Sequence, residues 1–474
     1  MTQPPPHWFR DNLEAVVIAI VMALVLRHFC IEAFKIPTPS MEPTLIGRED
    51  NGDRILVDKL AYLFSSPRRW DVIVFKYPLD ITKNYIKRLV GLPGETIELR
   101  DGDLFVDGAI ARKPRAVQDV LWRNWPWYEW TEEGASFERE WTPVADAAAR
   151  VALEDGWLVI SAPDRGEMEL GKRIMDTYRD SNSHHPHPVG DVRIAGTVAP
   201  TSGTEEIVLS IREHSAVASL HLAVEGSPTT TRLFHEDHEI WRDPGLKLAI
   251  GSPTAISFCN VDDAFVIDID GEEVLRHEYE GPCQREPRLY LGGTNHVRLG
   301  VVRGEARFRD ISVQRDIHYA FEARDTWNRT PGSEVSPSWG VFPSWTIPED
   351  RFFVLGDNGP HSKDSRYWGK RERVLLDGRK VMGDSDPRSD DPALEGDPNS
   401  FLDRYGEAYS LAEIDPTVVQ RPPQPLPFID RRLLLGKAFC VFWPPFRSHT
   451  DLLRYRQTGR PDDASLLLNT RFVR

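Results

Sequence analysis

From Arg54 onward the chain reads RILVDKL (54–60), DVIVFKYP (71–78), YIKRLVGL (85–92), ETIEL (95–99) and LFVDG (104–108). These short runs are rich in Val and Ile and are broken by Pro and Asp-Gly turns. That pattern predicts an antiparallel β-domain. Immediately upstream lies AVVIAIVMALVL (15–26), with no charge, glycine or proline. Counted from Leu13 to Phe34 the segment reaches the roughly 20 residues that a membrane span needs, with Glu14, Arg27, His28 and Glu32 near the interfaces. No small-residue cleavage site follows it, so an uncleaved anchor is expected rather than a removed leader.

Downstream the character of the chain changes twice. Residues 115–160 hold Trp122, Trp125, Trp127, Trp130, Trp141 and Trp157. Such a cluster serves either as local core or as a patch at a membrane interface. Between about 187 and 316 come DVRIAGTVAP, EEIVLSIRE, ASLHLAVEG, AISFCNV, AFVIDIDGEEV, VRLGVVRG and ARFRDISVQ. Strands at this spacing, with Gly, Asp and Pro between them, predict a β-sandwich. Residues 384–425 are rich in Asp and Pro and read as a linker. A last β-like run, LLLGKAFCVFWP, occupies 433–444.

Composition narrows the function classes. The 474 residues suggest two or three domains at roughly 150 residues each. The formal net charge is −15, with no concentrated basic stretch, which argues against a nucleic-acid partner. Four cysteines exclude a disulfide-rich scaffold. Cys259 and Cys283 are close enough in sequence to pair or to remain two buried thiols. Asp262, Asp263, Asp268 and Asp270 offer oxygen ligands of the calcium kind, yet such residues are usually solvated. His184, His185 and His187 in HHPHP are a weak metal signal in a loop. No metal or cofactor is assigned.

The chemistry centres on Ser40 and Lys87. A serine becomes a nucleophile when a neighbouring base takes its proton. Lysine serves as that base when burial disfavours its charged form. Tyr85, Ile86, Leu89 and Val90 flank Lys87, and strand alternation puts Lys87 on the side of Tyr85 and Leu89.

FKIPTPSMEPTL (34–45), GDRILVDK (52–59), DVIVFKYP with YIKRLVGLPGETIEL (71–99) and GDNGPHSKDSRYWG (356–369) stand in the order of the motif boxes of bacterial type I signal peptidases, which this chain resembles. The match covers 13–110, about 350–370, and GKAFCVFWP (436–444). The resemblance implies Ser40 as nucleophile, Lys87 as general base and Ser362 as the hydroxyl that orients the lysine. It implies Thr38 as an oxyanion donor beside the Ser40 N–H, and Asp364 with Arg366 as the ion pair supporting the third box. Phe34, Ile36, Pro37, Met41, Leu45, Ile55, Val57, Tyr85 and Ile86 match positions lining shallow apolar subsites for small P1 and P3 residues.

The expected fold is mainly β, with an N-terminal membrane-anchor helix, an antiparallel catalytic domain and an inserted sandwich. In order, the expected parts are a head (1–12), an anchor (13–34), the first catalytic part (35–115), a Trp-rich insertion (116–186) and a sandwich (187–316) resembling laminin-G or concanavalin-like folds. The second catalytic part (317–375), a linker (376–425) and a closing strand with tail (426–474) complete the chain. The implied activity is cleavage of signal peptides from exported pre-proteins. The enzyme would be a single-pass protein of the cytoplasmic membrane, with its catalytic domain outside and its partners the pre-proteins and the bilayer. One competing reading is a tethered glycan- or peptide-binding protein with a vestigial protease core. A second is a Ser-Lys autoprotease of the SOS-repressor type, which would want a DNA-binding N-terminus.

Overall fold

The computed structural model describes residues 8–49, 52–124, 141–144, 149–171, 173–176, 187–213, 215–281, 295–320, 344–384, 400–418, 423–443 and 471–473. The chain opens with an α-helix, Trp8–Val25, continued by a π-helical turn, Leu26–Cys30. Ile31–Lys35, expected to end the anchor, is instead a strand paired antiparallel with Arg54–Asp58, from Ile31 opposite Asp58 to Lys35 opposite Arg54. Alternation explains the switch. Glu32 and Phe34 share the half-buried face, Phe34 packing on the core and Glu32 lying 3.3 Å from Lys59, while Ile31, Ala33 and Lys35 face outward. Among the described residues no helix is long and apolar enough to cross a membrane. The apolar side chains of the first helix are nevertheless open, with Val16 54% and Met22 59% exposed.

The N-terminal β-runs form the predicted antiparallel sheet, but its order is not the sequence order. Arg54–Asp58 and Val72–Tyr77 flank the closing strand Leu434–Trp443, and Asp80–Gly91 and Arg351–Leu355 follow. Period-two alternation divides its side chains. Val72 and Val74 join Ile36, Met41, Leu45, Ile55 and Val57 in one cluster. Ile73 and Phe75 join Tyr77, Leu89, Phe352, Val354 and Trp368 in the other. A small sheet of Thr96–Arg100, Asp103–Val106, Ala109–Ile110 and Ser344–Thr346 covers one end.

The inserted β-unit takes in more of the chain than 187–316. Trp157–Leu170 pairs with His296–Arg315 over Leu158 to Glu169, and Trp141–Pro143, Arg150–Glu154 and Arg123–Asn124 join the same sheet. The twenty-residue strand His296–Arg315 pairs along its length with Val192–Pro200, Glu206–Glu213 and Trp157–Leu170. The sheet therefore folds over one core, which includes Leu158, Ile160, Met168, Ile207, Leu220, Phe258 and Val301. Gly304 makes the bend possible: its φ is +89°, and a Cβ there would meet the Thr204 backbone at 2.6 Å. Trp122 and Trp141 are buried, so both serve as core; Trp125, Trp127 and Trp130 lie outside the described residues. Cys259 is a buried thiol, pushed up to about 12 chiefly by burial, and Cys283 lies outside the described residues.

Part of the expected linker is folded. Ser400–Leu402 and Ala408–Ser410 form a hairpin, and Phe401, Tyr409 and Ile414 share a small core with Leu375 and Val381. Three apolar residues suffice here because the hairpin Gly369–Asp384 supplies the other wall.

The insertion and the catalytic unit meet through charge pairs, those of Lys113 buried and those of Arg115 and Arg112 nearer the surface. Lys113 is bonded to Asp262 and stands 2.9 Å from Asp316. Arg115 reaches Asp268 at 2.7 Å, and Arg112 reaches Glu278 at 3.0 Å. The acidic residues that suggested calcium are thus largely spoken for. Asp262 and Asp268 meet the protein's own cations, and Asp270 accepts from the Ala255 N–H at 2.9 Å.

Candidate active site

The turn Thr38–Met41 is narrow because Pro37 and Pro39 restrict its backbone, and Pro39–Met41 forms a single 3₁₀ turn. It places Ser40 against the strand Asp80–Gly91. Lys87 Nζ donates to Ser40 Oγ at 2.8 Å and to the Ile86 carbonyl at 3.1 Å. Ser40 is 6% exposed and Lys87 4%. The Tyr85 ring lies 5.5 Å from the Lys87 nitrogen, as strand alternation requires. Tyr85 itself stacks on Tyr77 at 4.3 Å, with Trp368 edge-on to both. Thr38 Oγ1 stands 3.5 Å from Ser40 Oγ.

The third box closes over this pair from the other side. Asn358 donates its N–H to the Ser40 carbonyl at 3.1 Å and its side-chain amide to the Pro39 carbonyl at 3.1 Å. Ser362 is buried, and its Oγ makes no hydrogen bond among the described residues. Gly356 explains the tight approach of the two loops. A Cβ there would lie 2.2 Å from Ser362 Oγ and 2.5 Å from the Ser40 carbonyl. Asp364 and Arg366 pair in two bonds of 2.8 and 2.7 Å, and Asp364 also accepts the Gly356 N–H at 3.0 Å. Burial alone would lower the Arg366 guanidinium; Asp364 outweighs it and holds the group above its usual range.

Several structural contributors lay inside the quoted motifs without a role assigned to them. Arg88, next to Lys87, makes a fully buried two-bond pair with Asp357 at 2.7 and 2.8 Å. Thr44 Oγ1 bonds to Asp357 and accepts from Arg88 at 3.0 Å. Arg123, which lies outside those motifs, donates to the carbonyls of Glu42 and Asp357. The lysine strand and the Ser40 turn are therefore locked to the third box by charge-assisted bonds. Adjacent Lys and Arg in an apolar strand were the available signal.

The apolar positions separate by exposure. Met41, Leu45, Ile55 and Val57 have no exposed surface and Ile36 is 3% exposed, so they form the floor rather than the open wall. Phe34, Tyr85 and Ile86 are half-buried and Pro37 is exposed, leaving apolar surface beside Ser40. A serine hydroxyl bonded to a buried amine, near half-buried apolar side chains, has the parts that acyl transfer from an extended peptide would need.

That arrangement brings together a serine and a lysine of the kind a hydrolase site can use. Its sequence relatives include signal peptidases. The model of the family described as "Signal peptidase, peptidase S26" matches residues 9–123 and 305–389, the second segment beginning within the last long strand of the insertion. The chain is also similar to curated type I signal peptidases. It is 38% identical over 111 residues to a probable signal peptidase I-1 of Synechocystis, covering 22% of this chain and 55% of that protein. It is 44% identical over 108 residues to signal peptidase I of Pseudomonas fluorescens, covering 20% and 37%. The chain thus spans about half the length, or less, of these curated relatives. Among solved structures, a Bacillus subtilis protein of unknown function with a galectin-like fold matches at 12% identity and TM-score 0.29, covering 40% of this chain and 96% of that one. A carbohydrate binding module from the same organism matches at 9% and 0.27, covering 37% and 95%.

Proposed function

We propose that the protein is a membrane-bound serine endopeptidase that removes N-terminal signal peptides from exported pre-proteins. The carrying observation is the 2.8 Å contact between two buried side chains, Ser40 Oγ and Lys87 Nζ. Ser40 attacks the scissile carbonyl as its proton passes to Lys87. The amine must be uncharged to accept that proton, which is the form that burial by itself favours for a lysine. The tetrahedral oxyanion is held by the Ser40 N–H and the Thr38 hydroxyl. Lys87 then returns the proton to the leaving amine, and water hydrolyses the acyl-enzyme by the same route reversed. Ser362, buried in the third box with its Oγ making no hydrogen bond among the described residues, is the hydroxyl we assign to orient the amine once substrate is bound.

The half-buried surface of Phe34, Tyr85 and Ile86, with Pro37 at its edge, takes small residues at P3 and P1. The buried floor of Ile36, Met41, Leu45, Ile55 and Val57 limits its depth. The apolar stretch at residues 15–25 of the first helix, with the turn after it, anchors the enzyme, because a stretch apolar on all sides is at home in lipid. The catalytic unit stands outside the cytoplasmic membrane, with residues 1–12 inside, where anchored enzyme and signal peptide meet at high effective concentration.

The deciding experiment is cleavage of a synthetic Ala-x-Ala signal-peptide substrate by the wild-type chain and by Ser40→Ala. Equal turnover by the two would end this reading. A binding protein with a vestigial core would show no turnover in either.

A further inference from the structure

The motif HHPHP left His187 without a function, and the tertiary structure gives it new company. The insertion leaves its last long strand at Arg315, and the next residues, Asp316 to Ala320, run along the catalytic unit. His318 is in this segment, buried at 6% exposure. His187 stacks on it, with ring centroids 5.7 Å apart and planes inclined by 23°. Asp176 is 3% exposed. Its carboxylate lies 3.0 Å from His187 Nδ1 and accepts the His187 backbone N–H at 2.8 Å. One ligand atom from each of Asp176, His187 and His318 lies within 4.8 Å of the others.

We propose that Asp176, His187 and His318 form a binding site for a borderline divalent cation of the zinc type, at the junction between the insertion and the third catalytic box. The donor set is two imidazoles and one carboxylate, which suits zinc and leaves a position open. A tetrahedral zinc with bonds of about 2.0–2.1 Å keeps its ligand atoms about 3.4 Å apart, so the cluster needs only a small contraction. His187 is the side chain able to make it, since it is a third exposed and gives the ion its way in.

The position gives the ion a structural task. The Tyr319 N–H donates to the Gly102 carbonyl at 3.0 Å, and the Ala320 carbonyl accepts from Arg366 at 2.6 Å. A Cβ at Gly359 would meet the His318 carbonyl at 2.8 Å. A cation on His318 would therefore stiffen the segment against which the third box rests.

The test uses the full chain in detergent micelles, stripped of metal by a chelator. Zinc chloride is added in a calorimeter, and cobalt(II) serves as the optical probe of geometry. The expected result is one zinc per chain and a tetrahedral cobalt spectrum. His187→Ala and Asp176→Asn should each weaken zinc at least about 100-fold, the upper end of the loss seen when a supporting partner is removed. Because His187 is partly exposed, its variant should melt like the metal-free wild type and lose the upward shift that zinc confers. The double variant His184→Ala with His185→Ala should bind as the wild type does. Absence of stoichiometric zinc, unchanged affinity in His187→Ala, or loss of binding in the His184/His185 double variant would each overturn the site.

Discussion

Two lysines are buried among the described residues, 26 positions apart in sequence, and their surroundings differ sharply. Lys87, on a strand of the catalytic sheet, donates to two neutral oxygens, those of Ser40 and Ile86. Lys113, at the junction with the insertion, is held between the carboxylates of Asp262 and Asp316. Burial alone would lower the Lys113 ammonium, yet these carboxylates outweigh it and hold it well above the ordinary lysine range. Equal burial thus supports opposite tasks. A charge-locked amine fastens two units together, whereas an amine facing a hydroxyl is suited to exchange a proton with it.

The largest expected effect comes from breaking the first environment. Ser40→Ala and Lys87→Ala should each lower turnover of an Ala-x-Ala substrate by about 10⁴-fold or more, with far-ultraviolet circular dichroism unchanged. Lys87→Arg should be as inactive, since guanidinium does not give up its proton. Appreciable cleavage by that variant would remove Lys87 from the mechanism.

Next in size is the second environment. Lys113→Met removes the cation and strands two buried carboxylates, which should cost about 3–5 kcal/mol in denaturant unfolding. Restoring much of that stability by adding Asp262→Leu would show that the pair, rather than packing alone, is responsible. A Lys113→Met chain as stable as the wild type would mean the junction is not held this way.

Thr38→Val should follow, lowering kcat by about 10²-fold, as loss of an oxyanion donor typically does, while leaving KM nearly unchanged. A rise in KM alone would assign Thr38 to substrate binding.

The smallest effect concerns pH. Burial, then Asp191 and Asp262, push the Asp103 carboxyl well above its usual range. An acid raised in the folded state adds stability below its unfolded value of about 3.9. That contribution is lost as pH rises through the folded value. Asp103→Asn should therefore raise the melting temperature at neutral pH and flatten its decline from acid pH upward. A variant that melts lower at neutral pH would show that the ionised carboxylate helps to hold the junction.

The junction also revises how the insertion should be excised. Removing only 187–316 would strip Leu158, Ile160 and Met168 of their partners on His296–Arg315, and would take Asp262 from Lys113. Deletion from about residue 123 respects the core, though Arg123 must stay for its bonds to Glu42 and Asp357.

Much of the site was legible because its signals are local. Pro37 and Pro39 confine the Ser40 turn, apolar neighbours bury Lys87, and period-two alternation puts that lysine beside Tyr85. The same alternation announced the strands from Arg54 to Val106 and from Val192 to Arg315. What tertiary structure alone decided are pairings between distant segments. Leu434–Trp443 enters the middle of an N-terminal sheet, and Trp157–Leu170 joins the insertion through a strand more than a hundred residues later. Arg88 finds Asp357, and His187 finds His318. A strand's own pattern shows which face is apolar but not which edge it will join, and a charged side chain does not record which distant counter-charge will repay its burial.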